Sequence, residues 1–527
     1  MVRLTAGLYS LLLIPTLVTA VTAMSSGTPF SRLVETAWRI PMWDQTFLNV
    51  LPDVGMIAIV LLAGIIYGQQ TCAAQSKNWT GTVSLRTVLG WTALLAAPLV
   101  AVIPFHSRDL YGYINRGAQQ ALYGVNPYVF TVEDLPTWHD DLMFHEHWIH
   151  NPCPYGFGFA LLAKALVWAS ANHFWLAFLL FKLVNALTLL GTTALVYTVS
   201  QQMNRSRPWV DAFLIGANPL ILLHTVANGH NDLQVGLLLL SAIALAISHR
   251  GRWAALPVLT GSILLKLVPV VTVPALAVYL VRKKAFLALG LGLVVSGLLT
   301  AVLALPYVGD WQQFPWDRIT DNAGLTQHSL HSLLSRVVFY SAKIVPALEP
   351  WVEPARTAFK MLLLGGFGAG LLVLLSRFAV RPIADKQAFN DRLVTTMAAS
   401  MLGLLLVGSS KFNVWYLAMV LPVLAVCRPN HWLYRVGVWL SLIQLLAFTP
   451  VENIHILGVA VLTILPAVLA WRTPWLGRDF PETIRSVLPR TPWGTRRADL
   501  SSAALSQASG GPHASGYRIQ SVPTLRD

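Results

Sequence analysis

Runs of 16 or more apolar residues recur from one end of this chain almost to the other, and they settle the solvent in which it folds. They fall at 4–23, 54–71, 87–104, 174–199, 209–226, 233–248, 285–304, 358–376, 393–409, 412–427, 434–449 and 454–471. A helix needs about 20 such residues to cross the hydrocarbon of a bilayer. The longer stretch from Trp253 to Val281 is cut by Pro257, Pro269 and Pro274 and flanked by His249-Arg250-Gly251-Arg252 and Arg282-Lys283-Lys284. Two basic flanks belong on one side of the membrane, so this stretch predicts a pair of short helices turning near Lys266. Composition agrees, with 55% hydrophobic and 11% charged residues, about half the charged share of a soluble domain. A soluble core stops growing beyond roughly 250 to 300 residues, so an apolar excess over 527 positions belongs against lipid. The expected fold is all-α, a polytopic transmembrane bundle of about 13–14 spans over residues 1–471. Residues 472–527 read as a basic, largely disordered cytoplasmic tail, with eight arginines, no lysine, and Ser, Gly and Pro rising after Ser501.

Orientation follows from loop charge, because Lys and Arg favour the cytoplasmic side. With Arg3 inside, Lys77, Arg86, Arg205, Arg207, the two flanks just named, the Arg377 to Arg392 group, Arg428, Arg435 and the tail all fall inside. This requires Gly156 to Ser170 to be a surface or re-entrant helix, and the basic residues of outer stretch 305–357 are an exception. The net charge of +14 is thus distributed as membrane anchoring, with no basic patch interleaved with aromatics, and nucleic acid is excluded as a partner. Cys72, Cys153 and Cys427 give neither a disulfide framework nor metal-ligand spacing. The first run is expected to remain as a span instead of being cleaved as a signal peptide.

With sides assigned by basic residues alone, the unusual polar residues gather on the opposite, extracytoplasmic face. They are His106 to Asn151, Asn228-Gly229-His230-Asn231-Asp232, the Lys266 turn, Asp310 to His331, Ser409-Ser410-Lys411-Phe412-Asn413 and Glu452-Asn453-Ile454-His455. Ionisable residues beside apolar spans are expensive and tend to be functional, so six such loops on one face point to one site. The richest begins His106-Ser107-Arg108-Asp109-Leu110-Tyr111 and continues to Gly124-Val125-Asn126-Pro127-Tyr128. A helix over 109–123 lying on the membrane puts Asp109, Tyr113 and Arg116 on one face and is ended by Gly124. From the residues alone, Asp109 either serves chemistry or simply caps this helix and pairs with Arg116.

Asp109-Leu110-Tyr111 followed by Gly124-Val125-Asn126-Pro127-Tyr128 resembles the first-loop signature of the GT-C superfamily of membrane glycosyltransferases. Pro154-Tyr155-Gly156-Phe157 is similar to their Tyr-Gly-Pro loop end, with Phe157 where proline is usual. Asn228 to Asp232 with Leu265-Lys266-Leu267-Val268-Pro269 resembles the polyprenol-phosphate-mannose-dependent α-1,6-mannosyltransferases of actinobacterial envelopes, with Leu267 and Val268 between the lysine and its usual proline. The resemblance covers roughly residues 85 to 425.

The resemblance implies a GT-C bundle with interfacial helices in its extracytoplasmic loops. It also implies inverting transfer of a hexose, mannose first, from a polyprenyl-monophosphate sugar to a lipid-linked or envelope glycan. Asp109 would be the base, since a departing phosphate needs no acid to protonate it. Lys266, Lys411, Arg108, Arg318 and His331 would meet the donor phosphate, whose growing charge needs fixed cations. Tyr113, Asn126, Tyr128, Asn228, His230, Asn231 and Asp232 would hold sugar or acceptor, offering both donors and acceptors. No cofactor is expected; a divalent metal at His139-Asp140-Asp141, His145-Glu146-His147 and His150 is the less favoured reading of a polar acidic loop. Other donor sugars (glucose, arabinofuranose, an aminosugar) remain within this chemistry. A transporter or flippase is the rival class, and it predicts midplane charges and inverted repeats that the sequence does not display.

Overall fold

The computed structural model describes residues 1–26, 29, 47–75, 81–313, 328–383, 385–453 and 455–473, all within one compact unit, Met1–Phe480. Arg318 and residues 474–527 of the expected tail lie outside the described residues. The described chain is helical and contains no strand. Seven of its helices are long and apolar enough to cross a membrane: Val2–Ser26, Val54–Gln75, Phe174–Gln202, Pro208–Ala227, Phe286–Gly309, Pro346–Val380 and Lys386–Gly408. The remaining apolar runs form shorter helices of 10–17 residues. Proline accounts for part of the shortening, since it removes a donor and crowds the preceding turn. Pro269, Pro274 and Pro466 sit in the first turns of Val268–Thr272, Val273–Arg282 and Leu465–Arg472, whereas Pro257 and Pro422 are carried inside their helices. Each run is helical where apolarity demands it, but length alone carries only seven of the expected 13–14 spans among the described residues. The protein is a polytopic all-α membrane bundle.

The Lys266 hairpin forms as its basic flanks require. Arg252–Leu265 ends at Lys266 in extended backbone, and a 3-10 turn over Val268–Thr272 leads back into Val273–Arg282. Helices Phe286–Gly309 and Pro346–Val380 leave nearly all their apolar surface exposed, the disposition of lipid-facing helices. Loops assigned to a common basic face do meet: Arg205 and Arg428 both grip Asp391, at 2.6 and 2.5 Å.

Three features converge on the opposite set of loops. Lys182 lies fully buried within Phe174–Gln202 and donates to the carbonyls of Val102 and Ala227, the latter at 2.7 Å. One turn on, Asn185 donates to Gly229 O at 2.8 Å and accepts from Gln234 at 2.8 Å. A cation inside a span is tolerated when backbone oxygens receive it, and here it fixes the end of the neighbouring span. That span, Pro208–Ala227, finishes in a π-helical turn over Leu222–Ala227, and Lys386–Gly408 finishes in another over Leu404–Gly408. Such turns collect at functional positions because they redirect the residues that follow; these two release Asn228 to Asp232 and Ser409 to Asn413.

The polar helix Asp109–Ala121 packs against Phe157–Ala169, the helix expected to be superficial or re-entrant. Gly124, at φ +64°, ends the first as expected. The two approach closely because Gly117 has no side chain: a Cβ there would lie 2.5 Å from Ala163 O and 2.5 Å from Val167 Cγ2. Gly117→Ala should therefore force the pair apart and cost about 1–3 kcal/mol, measured as a lower thermal midpoint in detergent. An unchanged midpoint would show that the contact is looser than the geometry states.

Candidate active site

Asp109 occupies the first turn of the Asp109–Ala121 helix, and its position is set by what precedes it. The Oδ1 of Asn228 accepts from the backbone N–H groups of Phe105 and His106, at 2.9 and 2.8 Å, while its Nδ2 donates to Leu223 O at 2.9 Å. The next residue, Gly229, takes φ +80°, and a Cβ there would stand 3.0 Å from Leu110. The Asn228 turn is thus pressed directly under the strand of backbone that delivers Asp109.

The carboxylate lies between two imidazoles. His147 Nε2 is 3.3 Å from Oδ1, and His230 Nδ1 is 3.4 Å from Oδ2. His230 is fully buried and stacks on Trp415, with centroids 4.2 Å apart at 14°. Burial alone drives a carboxyl group up, by disfavouring its charged form. The hydrogen bonds and charge of His147 and His230 outweigh burial and hold Asp109 below the usual carboxylate range. Asp109 neither accepts from Arg116 nor serves as a simple cap. Arg116 is spent instead on Gln119 Oε1 at 2.8 Å, Trp148 O at 2.8 Å and the carbonyl of Asn151.

Asp109 opens onto a cavity of about 630 Å³ that it shares with Arg108, Lys266, Lys411, Trp148 and Tyr416. It is the one carboxylate on that wall among the described residues. Lys266 donates to Asp232 at 2.7 Å and lies 4.0 Å from the centre of the Tyr416 ring. The anion that makes its burial affordable is therefore part of the protein. Lys411 faces the Trp148 ring at 5.6 Å. Burial lowers its pKa; Asp109 opposes that and Lys266 adds to it. On the same wall, burial pushes His106 down to about 3, with further lowering from His230 and His328 and a partial offset from Asp109.

The structure thus brings Asp109, Arg108, Lys266 and Lys411 together at one cavity. It sets the other expected ligands elsewhere. Tyr113 donates to Asn231 at 3.2 Å behind the wall, and Asp232 is spent on Lys266. Asn228 is buried and committed to backbone groups, and His230 reaches the site only through Asp109. Asn126 closes its own turn, accepting from Tyr128 N at 3.0 Å and donating to Tyr307 O at 3.1 Å. Tyr128 donates to Tyr155 O at 2.7 Å. His331, in the first turn of the helix Leu330–Ile344, bonds Arg356 O at 3.1 Å. Asn126, Tyr128 and His331 do not line the cavity and bond to backbone groups instead. Within the His139 to His150 segment, His145 packs between Tyr111 and Phe174, His147 turns to Asp109, and His150 pairs with Glu133 at 2.6 Å. Among the described residues no group of three or more His, Cys, Asp and Glu is placed to hold a metal.

Residues that pattern reading passed over include His147 as a partner of Asp109, the aromatic wall of Trp148, Trp415 and Tyr416, and Lys182 beneath. Lys182 carried a signal, a lone charge within an apolar run. The others depend on approaches between segments 38 or more residues apart.

A family defined as alpha-(1->6)-mannopyranosyltransferase, N-terminal domain, matches residues 4–282. The chain belongs to this family. It is 23% identical to alpha-(1->6)-mannopyranosyltransferase A of Corynebacterium glutamicum over 406 residues, covering 72% of this chain and 78% of that protein. Over 224 residues it is 26% identical to alpha-(1->6)-mannopyranosyltransferase A of Mycobacterium tuberculosis, covering 42% of this chain and 40% of that one. Alpha-(1->6)-mannopyranosyltransferase B of C. glutamicum is 27% identical over 230 residues, 43% of this chain and 35% of its own length. No solved structure matches. The chain is a membrane mannosyltransferase, and the family match spans the Asp109 helix, the Asn228 turn and Lys266.

If the imidazoles hold the Asp109 charge, removing one leaves burial to dominate and the carboxyl pKa rises. His147→Ala should then shift the acid limb of the kcat/KM profile for mannosyl transfer to higher pH, with activity lost earlier on acidification. An acid limb that stays in place would remove His147 from this role.

Proposed function

We propose that this protein transfers mannose, with inversion, from a polyprenyl-monophosphate donor to a hydroxyl of a lipid-linked or cell-envelope glycan at the extracytoplasmic membrane face. The observation that carries the reading is the composition of one cavity wall, a single carboxylate, Asp109, with Arg108, Lys266 and Lys411 around it. Inversion by direct displacement needs one base on the attacking hydroxyl and charge stabilisation on the leaving side. Asp109, kept ionised by His147 and His230, has a lone pair to take the proton. Lys411 faces the Trp148 ring, and it is the cation best placed to meet the phosphate oxygens. Lys266, neutralised by Asp232, holds the hairpin at the cavity edge and lends a hydrogen bond at lower net charge. Fixed protein cations supply the charge that a leaving phosphate requires, so the reaction is assigned no cofactor.

Loop charge supports the outer membrane side for this reaction. Arg205 and Arg428 meet at Asp391 among the loops that charge assigns to the cytoplasm, and the loops that line the cavity are those it assigns to the opposite face.

Asp109→Asn keeps the shape and removes the base. In detergent-purified protein supplied with radiolabelled polyprenyl-phosphate mannose and an extracted lipoglycan, transfer should fall by about 10²–10⁴-fold. Asparagine keeps the size of the side chain and an oxygen for an imidazole N–H, so the protein should stay folded and inserted, with a thermal midpoint lowered by no more than a few degrees, about 1–2 kcal/mol in a protein this large. Transfer at the normal rate in this variant would remove Asp109 as base.

A further inference from the structure

Trp148 stands out among the cavity residues by its backbone. Its φ is +54°, in the left-handed region that a bulky side chain rarely adopts. Ala171, Asn172, Asn204, Lys284 and His328 share that sign, but the first four lie just past the end of a helix, where such a residue commonly turns the chain, and His328 lies outside the cavity, just before the helix Leu330–Ile344. Trp148 ends no helix. Strain of this kind persists only where the surroundings over-determine it. Here two successive residues of the Asp109 helix do so. Asn115 takes the backbone of His145 from both sides, accepting from its N–H at 3.0 Å and donating to its carbonyl at 2.9 Å. The buried Arg116 guanidinium then holds the carbonyls of Trp148 and Asn151.

What this clamp achieves is to hold a large apolar ring in the cavity. Trp148 is 45% exposed although it lines the pocket that Asp109 opens onto. The other exposed tryptophans among the described residues, Trp168, Trp175, Trp253, Trp351, Trp432 and Trp471, lie outside the cavity, where interfacial anchoring accounts for them. The indole is flanked by the two halves of the proposed chemistry. The ring of His147, which contacts the Asp109 carboxylate, meets its edge at 5.6 Å, and Lys411 Nζ stands 5.6 Å from its centre.

We infer that the indole of Trp148 is the platform on which the transferred hexopyranose ring stacks, placing C1 between Asp109 and the phosphate held by Lys411. This rests on the donor reading given above. A pyranose has an apolar face of C–H bonds and a rim of hydroxyls, so a flat ring with a polar perimeter matches it, and desolvating the C–H face is favourable. The platform orients the anomeric carbon without touching the bond that breaks, which makes Trp148 a substrate-positioning residue.

Glycine adopts positive φ without strain, so Trp148→Gly removes the ring while leaving the turn relaxed. Trp148→Phe retains a flat face. With radiolabelled polyprenyl-phosphate mannose and extracted lipoglycan in detergent, the glycine variant should raise the donor KM by about tenfold or more, and phenylalanine by no more than about threefold, the scale of binding shared by ground and transition states. KM does not depend on how much of a preparation is folded, so a stability loss cannot imitate this result. A glycine variant with the wild-type donor KM, or a phenylalanine variant as impaired as glycine, would overturn the platform while leaving the donor reading intact. A wild-type protein inactive with this donor would remove both.

Discussion

A carboxylate taken out of bulk water must have its charge answered nearby, and the answer to Asp109 comes from two imidazoles on segments distant in sequence. One sits on the loop after the Asp109 helix and the other on the turn between two spans. Fixing Asp109 therefore means fixing both. The Asn228 turn that carries His230 is held from below by Lys182 and Asn185 and holds from above the backbone entering Asp109. The His147 loop is fastened by Asn115 and Arg116 of the Asp109 helix itself. Polar contacts thus run without a break from the middle of Phe174–Gln202 to the cavity wall.

That arrangement also sorts the cations. Lys266 and Asp232 neutralise one another and close the hairpin onto the Asn228 turn, whereas Lys411 comes to the cavity across an aromatic face. The wall is left with positive charge beside a carboxylate that stays ionised. This polarity suits a reaction in which a hydroxyl loses a proton at one end of a displacement and a phosphate gains negative charge at the other. Family membership as a mannosyltransferase comes from sequence similarity, and the proposed use of the wall, drawn from its lining and distances, is compatible with it.

Most spans were legible because apolarity over some 20 residues has one consequence in lipid, and the Lys266 hairpin because two basic flanks cannot straddle a membrane. The helix beginning at Asp109 and its end near Gly124 were equally plain. Which polar residue faces a ligand and which faces the backbone was not. Asn228 and Asn126 have the chemistry of sugar ligands, yet both are consumed by main-chain groups, a use that depends on backbone approaching across long sequence separations. His147 was visible only as one of several histidines in a polar loop; its partnership with Asp109 exists because Asn115 and Arg116 fold that loop back over the helix.

The central claim is that one cavity receives the lipid phosphosugar with its anomeric carbon toward Asp109 and its phosphate toward Lys411. Cryo-electron microscopy of the full chain in nanodiscs, with a non-transferable phosphonate analogue of polyprenyl-phosphate mannose, tests it directly. The account predicts a phosphonate oxygen within about 4 Å of Lys411 Nζ, an ion-pair distance, and C1 on the side of the ring facing the Asp109 carboxylate. Density for the sugar in any other part of the bundle, or a pose with the phosphonate against Asp109, would contradict it.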